Sequence, residues 1–141
     1  MRDSEKRALG NCPICGSPLH HKLATYCIRC KRLIGRVDIR KKPDKAARAK
    51  ALLEAWDGEG FRCYYTGVRL VEDNHSDPRY LTFDHLTPRE ESKIVVVAAA
   101  INDMKSDLSD GEFRRMVLQL ASRFNEGEFN EEAFNLKHWK R

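Results

Sequence analysis

YLTFDHLTPREESKIVVVAAAINDMKSDL, residues 80–108, contains two short runs of strand-forming residues followed by a run of helix formers. The first run, 80–83, is aromatic and β-branched and is bounded by proline-containing turns. The second run, 93–97, is β-branched, whereas 98–105 is rich in helix formers and has no Pro or Gly. The pattern therefore predicts an α+β unit in the order strand, loop, strand, helix.

Asp84 and His85 end the first run, and Asn102 lies on the predicted helix. Neighbouring residues on a strand point to opposite faces, so the carboxylate can hold a cation while the imidazole faces a water molecule beside it. A neutral imidazole, with a reference pKa of about 6.5, can accept a proton from water near neutral pH. The oxygens of Asp84 and Asn102 suit Mg²⁺ or Mn²⁺ better than Zn²⁺, which favours nitrogen and sulfur.

An Asp-His pair at a strand end, followed on a helix by the string NDMKSD at 102–107, resembles the motif of HNH nucleases. The string CYYTG at 63–67 is similar to one that opens such domains, and the resemblance covers about residues 52–108. The likeness is to the HNH domains of phage proteins and RNA-guided DNA nucleases. It implies a small ββα-metal (His-Me finger) nuclease core with flanking helices.

The resemblance also implies a role for each motif residue. His85 would be the general base, and Asp84 and Asn102 would hold a catalytic Mg²⁺ (or Mn²⁺). The implied reaction is hydrolysis of DNA phosphodiester bonds to 5′-phosphate and 3′-hydroxyl ends. The candidate phosphate contacts are Lys105, Arg89 and Lys93.

The chain departs from the HNH pattern at one position. Where the family has a middle Asn, this sequence has Lys93, with Ser92 beside it. Ser92 could supply part of the missing loop hydrogen bonding, and Lys93 could reach a phosphate. The alternative function is a zinc-ribbon DNA-binding protein that uses the HNH fold only as a scaffold. Retention of Asp84, His85 and Asn102 favours the enzyme.

Two C-x-x-C pairs near the start of the chain predict a second metal site. Their four thiolates can surround one tetrahedral Zn²⁺, and Gly16 permits the backbone turn behind the first pair. We expect a minimal zinc ribbon stabilised by its metal, with His20 and His21 exposed or facing phosphate. Disulfide pairing is the alternative, disfavoured because no secretion signal is evident. The predicted ligands are Cys12, Cys15, Cys27 and Cys30.

Charge is distributed unevenly along the 141 residues. Residues 1–50 contain 14 Lys or Arg against 4 Asp or Glu, a net +10, while 51–141 carry a net −5. The basic part is the expected anchor on DNA, although a basic solvated surface is the simpler alternative. We expect two domains: a basic zinc ribbon at 1–42 and an HNH endonuclease domain at 43–141.

Flanking segments are predicted from composition. The ribbon is expected to end in a strand at 33–39, followed by a basic linker at 40–43. A helix is expected at 44–56, ended by Gly58 and packing on the nuclease domain. Its predicted contact residues are Leu52, Leu53 and Trp56, and Cys63 is expected to be a small buried residue.

A capping box at Ser109 and Glu112 predicts a C-terminal helix that Gly127 ends. Its apolar stripe is expected to pack against the nuclease unit. A last short helix is expected at 131–139, anchored by aromatic residues. The stripe comprises Phe113, Met116, Val117, Leu120, Ala121 and Phe124, and the anchors are Phe129, Phe134 and Trp139.

No apolar run approaches the length of a membrane span, and the charged first residues lack the apolar core of a signal peptide. We therefore expect a cytoplasmic protein of a bacterial or phage-infected cell. Three biological settings share these features: phage genome packaging, mobile-element homing and defence. Packaging would involve a protein partner.

Overall fold

The structure, a computed structural model, describes residues 9–36, 44–88 and 93–139. These residues form an α+β fold with a two-stranded sheet and four α-helices. None of their helices has the length and apolarity that crossing a membrane requires. In chain order the elements are α1 Ile28–Ile34, α2 Lys45–Ala55, β1 Leu81–His85, β2 Ile94–Ala98, α3 Ala99–Lys105, α4 Asp110–Glu126 and a 3₁₀ helix Glu131–Phe134.

The two strands and α3 appear in the predicted order, with bounds that differ by one or two residues. β1 and β2 are antiparallel, with Leu81 opposite Ala98 and His85 opposite Ile94. Every residue of β2 is buried, whereas only Leu81 is buried on β1. A strand buried along its whole length needs cover on both faces, which explains its uninterrupted apolar sequence.

The CYYTG string forms a turn at the outer edge of β2. Gly67 adopts a left-handed φ of 72°, and its N–H donates to the Cys63 carbonyl at 2.9 Å. Tyr64 N–H donates to the Val96 carbonyl at 2.9 Å, and Ala98 N–H lies 3.4 Å from Cys63 Sγ. Cys63 is buried, as predicted, and it accepts a backbone hydrogen bond that the sheet would otherwise leave open.

Helix α2 packs on β2. Asp44 caps its first turn, and the Asp44 carboxylate accepts a hydrogen bond from Ala47 N at 3.0 Å. Leu52 is fully buried, and Trp56 contacts Phe61 with ring centroids 5.1 Å apart. The prediction that Leu53 packs on the domain is wrong, since its side chain is 53% exposed. Successive helical residues point about 100° apart, so Leu52 and Leu53 cannot both face the strand.

The N-terminal segment is joined to the rest of the fold by one continuous apolar core. Arg29 makes a bidentate ion pair with Glu72, at 2.5 and 2.7 Å. Arg36 donates hydrogen bonds to the carbonyls of Leu81 and Glu72. Arg48, buried on α2, donates to the carbonyl of Ile34 at 3.0 Å. Three arginines therefore tie this segment to β1, to the loop before β1 and to α2.

The predicted strand at 33–39 is wrong at its start, because Leu33 and Ile34 lie in α1. The second cysteine pair begins this helix: Cys27 precedes it, and its sulfur accepts from Cys30 N at 3.4 Å. Local capping at Cys27 outweighs the β-branched residues that suggested a strand. The segment is thus a turn followed by a helix rather than an all-β ribbon. Residues 37–39 and the linker 40–43 lie outside the described residues.

Helix α4 begins with the predicted capping box and ends at Gly127 in the left-handed conformation. The prediction that its apolar stripe packs in the core is wrong beyond the first turn. Phe113 is buried against Tyr65, but Val117 and Leu120 are exposed and Phe124 is 81% exposed. The element that packs on α4 is the 3₁₀ helix, so the sheet does not cover the stripe.

The predicted last helix is only one turn of 3₁₀ helix, and its aromatic anchors are not in the core. Phe134 and Trp139 are exposed, although the rings of Phe129 and Phe134 lie 5.3 Å apart. Glu112 holds this end instead, accepting from His138 N at 3.3 Å and lying 2.6 Å from His138 Nδ1. Burial opposes ionisation of Glu112, but hydrogen bonds from Ser109 and His138 outweigh it and lower the pKa to about 2.

Adjacent leucines on α2 offer a matched test of the packing. Leu52→Ala should lower the free energy of unfolding by about 2–5 kcal/mol, because it leaves a cavity under β2. Leu53→Ala removes the same atoms from an exposed position and should cost less than about 1 kcal/mol. Urea unfolding followed by circular dichroism measures both. Equal losses in the two variants would contradict the placement of α2.

Candidate metal sites

The four cysteines of the two C-x-x-C pairs lie together, and their sulfur atoms are all within 4.8 Å of one another. In the first pair the Gly16 N–H donates to the Cys12 carbonyl at 2.8 Å, with Gly16 at φ 75°. In the second pair Cys27 and Cys30 occupy the start of α1. A turn and a helix end therefore supply two sulfurs each. All five cysteines of the chain are free thiols, so the disulfide alternative has no support here.

The spacing of the sulfurs fits a zinc ion. Tetrahedral coordination with Zn–S bonds of about 2.3 Å places sulfurs about 3.8 Å apart. The sulfurs of Cys15 and Cys27 are 3.5 Å apart. Three of the four cysteines are buried, which excludes water from most of the site. The cluster is the only group of three or more His, Cys, Asp or Glu side chains with this geometry in the part of the chain that the structure describes.

The pKa values of the clustered thiols shift in different directions. Burial opposes ionisation of Cys12, but backbone hydrogen bonds, the largest from Cys27, lower the pKa of its thiol to about 6. Burial and the neighbouring thiols raise the pKa of Cys30. Thiolates are the form that binds zinc, and a divalent cation would offset the repulsion among four of them. His20 and His21 are exposed and lie outside the cluster, as predicted.

A second cluster lies where β1 meets α3. Asp84 and Lys105 form a buried ion pair, with Oδ2 and Nζ 3.0 Å apart. Lys105, which is fully buried, also donates to the His85 carbonyl at 3.0 Å. Burial raises the pKa of the Asp84 carboxyl, and the Lys105 ammonium offsets part of that rise. The contact lacks hydrogen-bond geometry, so Asp84 Oδ2 accepts no hydrogen bond from any described residue.

Asn102 is held one turn earlier on α3. Its Nδ2 donates to Thr82 Oγ1 at 3.1 Å, and the Thr82 hydroxyl donates to the Val97 carbonyl at 2.6 Å. Because the hydroxyl has one proton and gives it to Val97, it must accept from the amide. This fixes the orientation of the Asn102 amide, whose oxygen points away from Thr82.

These contacts place both predicted oxygen ligands on one side of β1. Thr82 and Asp84 are two residues apart on the strand and share a face. Asn102 and Lys105 are three apart on α3 and share the face that meets it. The contacts of Asn102 with Thr82 and of Lys105 with Asp84 therefore hold α3 against β1.

His85 follows Asp84 at the end of β1. Its Nδ1 is buried and makes no hydrogen bond to any residue in the described ranges. An orphaned buried ring nitrogen is uncommon, because leaving such a group unpaired costs free energy. A ligand or a water molecule that donated a hydrogen bond to this nitrogen, or accepted one from it, would satisfy it.

Two of the three predicted DNA contacts, Lys93 and Lys105, are paired with acidic side chains of the protein. Lys105 points inside, so a phosphate contact would require it to leave Asp84 and the His85 carbonyl. Lys93 forms an ion pair with Glu54 of helix α2, and its Nζ lies 2.8 Å from Glu54 Oε2. Arg89 and Ser92 lie outside the described residues.

Sequence reasoning missed Thr82 and the internal role of Lys105. The signal for Thr82 was its position two residues before Asp84, on the same face of a strand. The signal for Lys105 was its spacing of three from Asn102 on a helix.

The zinc prediction can be tested with the fifth cysteine as control. Purified protein should contain about one Zn²⁺ per chain, and the double variant Cys12→Ser/Cys15→Ser should contain none, because two ligands are lost. Cys63→Ser should keep its zinc, since Cys63 lies outside the cluster. Elemental analysis after gel filtration measures all three. Zinc-free wild-type protein would contradict the assignment.

Searches of protein-family models, curated proteins and solved structures found no match to this chain.

Proposed function

We propose that this protein is a metal-dependent endonuclease of the HNH type that hydrolyses DNA phosphodiester bonds. The observation that carries the proposal is the arrangement at the junction of β1 and α3. A carboxylate and an amide oxygen share one side of the strand, and the next residue is a histidine with an unpaired buried ring nitrogen. Two oxygens able to hold a metal ion and a histidine that could act as a base are the kinds of group that phosphodiester hydrolysis needs.

The residues present fit a hard divalent cation. Asp84 Oδ2 has no hydrogen-bond donor among the described residues, and the Asn102 oxygen is turned away from its Thr82 anchor. Asp84 and Asn102 would hold Mg²⁺ or Mn²⁺, with water and phosphate completing the shell. The bound ion would supply positive charge to the phosphate as negative charge develops on it.

His85 is the general base in this proposal. Its imidazole takes a proton from a water molecule, which attacks phosphorus in line with the leaving 3′ oxygen. The hydrogen bond from Lys105 to the His85 carbonyl fixes the backbone that carries the ring. Lys105 also stabilises the ionised form of Asp84 against the burial that raises its pKa.

A non-catalytic scaffold is the second candidate, and two ion pairs favour it. Lys105 gives Asp84 a permanent protein partner, so the site can remain folded with no metal. Lys93, at the position of the family's middle Asn, is engaged by Glu54. In this alternative the chain binds DNA and the Asp84–Lys105 pair is purely structural.

Cleavage of supercoiled plasmid separates the two functions. Wild-type protein with Mg²⁺ or Mn²⁺ should convert the plasmid to nicked or linear DNA. Brief chelation of weakly bound ions should stop the reaction without unfolding the protein, and Mg²⁺ or Mn²⁺ alone should restore it. Plasmid that is bound but stays intact under every condition would support the scaffold instead.

His85→Ala should lower the cleavage rate at least about a hundredfold, because it removes the general base. His75→Ala is the matched control, since His75 is exposed on the loop before β1. It should cleave at the wild-type rate. Both variants should bind DNA as the wild type does, measured by fluorescence anisotropy with the metal withheld. Cleavage by His85→Ala within a few-fold of wild type would remove His85 from the mechanism.

Thr82 is expected to act as a positioning residue for Asn102. Thr82→Val keeps the shape of the side chain but removes the acceptor that orients the amide. The affinity for Mn²⁺ should fall about two- to tenfold, the equivalent of one net hydrogen bond of roughly 0.5–1.5 kcal/mol. Thr82→Ser keeps the hydroxyl and should bind Mn²⁺ nearly as the wild type does.

Titration of Mn²⁺ followed by electron paramagnetic resonance measures this affinity without any turnover. Equal losses in the Val and Ser variants would indicate that the methyl group, through packing, is what matters. An unchanged affinity in Thr82→Val would show that the hydroxyl does not position Asn102.

A further inference from the structure

The described N-terminal segment, residues 9–36, contains no Asp or Glu. Its cations are Lys22, Arg29, Lys31, Arg32 and Arg36. A segment with cations and no anions has a positive potential at its surface, which four thiolates around a zinc ion reduce but do not cancel.

Two of the arginines make contacts with other parts of the protein. Arg29 is engaged by Glu72, and Arg36 by the carbonyls of Glu72 and Leu81. Their directional contacts fix the orientation of α1 against the loop before β1. They cannot also serve an external anion without loosening that junction.

Lys31 and Arg32 face the other way. Both are exposed, and neither side chain makes a hydrogen bond or an ion pair with the residues that the structure describes. Ile28, Lys31 and Arg32 occupy positions i, i+3 and i+4 of α1, which share one helix face, and Gly35 follows the helix on the same side. This face and His20, on the loop between the cysteine pairs, line an open groove of about 460 Å³.

The lining of the groove suits a sugar–phosphate backbone. Lys31 and Arg32 can donate to phosphate oxygens, and the His20 ring can donate a further hydrogen bond. Ile28, which is 55% exposed, offers an apolar contact for a deoxyribose. Such contacts position a duplex without reading its sequence.

We propose that this groove, lined by His20, Ile28, Lys31, Arg32 and Gly35, binds the phosphate backbone of duplex DNA. The choice of DNA as the polyanion rests on the proposed function, whereas the preference for phosphate rests on the groove alone. The groove holds the substrate, and the β1–α3 site cuts it.

The groove lies close in the chain to the cysteine cluster. One wall is the face of α1, which contains Cys30, and the other is His20, on the loop that joins Cys15 to Cys27. A zinc ion held by the four sulfurs would fix the two walls relative to one another. Zinc binding and DNA binding would therefore be coupled through the same short segment.

The test is DNA binding by the double variant Lys31→Gln/Arg32→Gln. Each phosphate contact multiplies the association constant for DNA by about [salt]⁻⁰·⁹. At 0.1 M salt this factor is about eightfold. Loss of two contacts should weaken binding of a labelled 20-bp duplex by up to about sixtyfold. The slope of log affinity against log salt should become shallower by about two.

The matched control is Arg123→Gln/Lys137→Gln, which removes two exposed positive charges from the C-terminal part of the chain. It lowers the net charge equally but should bind DNA within about twofold of wild type. Circular dichroism and zinc content should be unchanged in both variants, because none of the four residues is a ligand or buried.

Catalysis distinguishes failure of the groove from failure of the proposed function. With saturating DNA, Lys31→Gln/Arg32→Gln should keep its kcat and show a raised KM. If wild-type protein binds DNA through Lys31 and Arg32 but never cleaves it, the groove stands and the nuclease proposal falls. Equal binding by both double variants, or tighter binding of single-stranded RNA than of duplex DNA, would overturn the groove.

Discussion

Complete burial of β2 is the constraint on which the rest of this structure depends. A two-stranded sheet has two open edges, and a buried strand cannot leave its backbone groups unpaired. One edge of β2 pairs with β1, and the other receives the Tyr64 N–H and gives the Ala98 N–H to Cys63. Helix α2 then covers a face of the strand. The CYYTG turn and α2 therefore both contribute to the burial of β2: the turn satisfies backbone groups at its outer edge, and the helix covers one of its faces.

A buried lysine is the least expected feature of the candidate catalytic site. Removing an ammonium and a carboxylate from water costs several kcal/mol, and their attraction repays this only in good geometry. Lys105 lies 3.0 Å from Asp84 Oδ2 and donates a hydrogen bond to the His85 carbonyl, which together offset part of that cost. A hydrophobic pair would stabilise the fold as well or better, so the ion pair is more readily explained by the site than by stability. In the nuclease proposal, Lys105 keeps a negative charge available where a divalent cation is needed.

The cysteine cluster and the proposed Mg²⁺ site differ in ligand chemistry and in construction. Four sulfurs from a turn and a helix end form a closed site, which is suited to a structural zinc ion. Two oxygens at the end of a strand and on a short helix form an open site, which leaves room for water and phosphate. The first can fix the basic segment, while the second would need its substrate to complete the coordination. In the nuclease proposal, the first site supports DNA binding and the second supports the chemistry.

The sequence by itself determined the local elements and the cysteine cluster. Strand, helix and cap signals at β1, β2, α2 and α4 act over a few residues, and two C-x-x-C pairs can meet with little help from the rest of the chain. Only the tertiary structure decided which side chains those elements bury. Periodicity shows an apolar stripe on α4 but not that its distal half lies in solvent, and composition shows Lys105 but not its buried partner. Burial and pairing depend on contacts between residues distant in sequence, such as Arg29 with Glu72 or Asn102 with Thr82, and no local pattern encodes them.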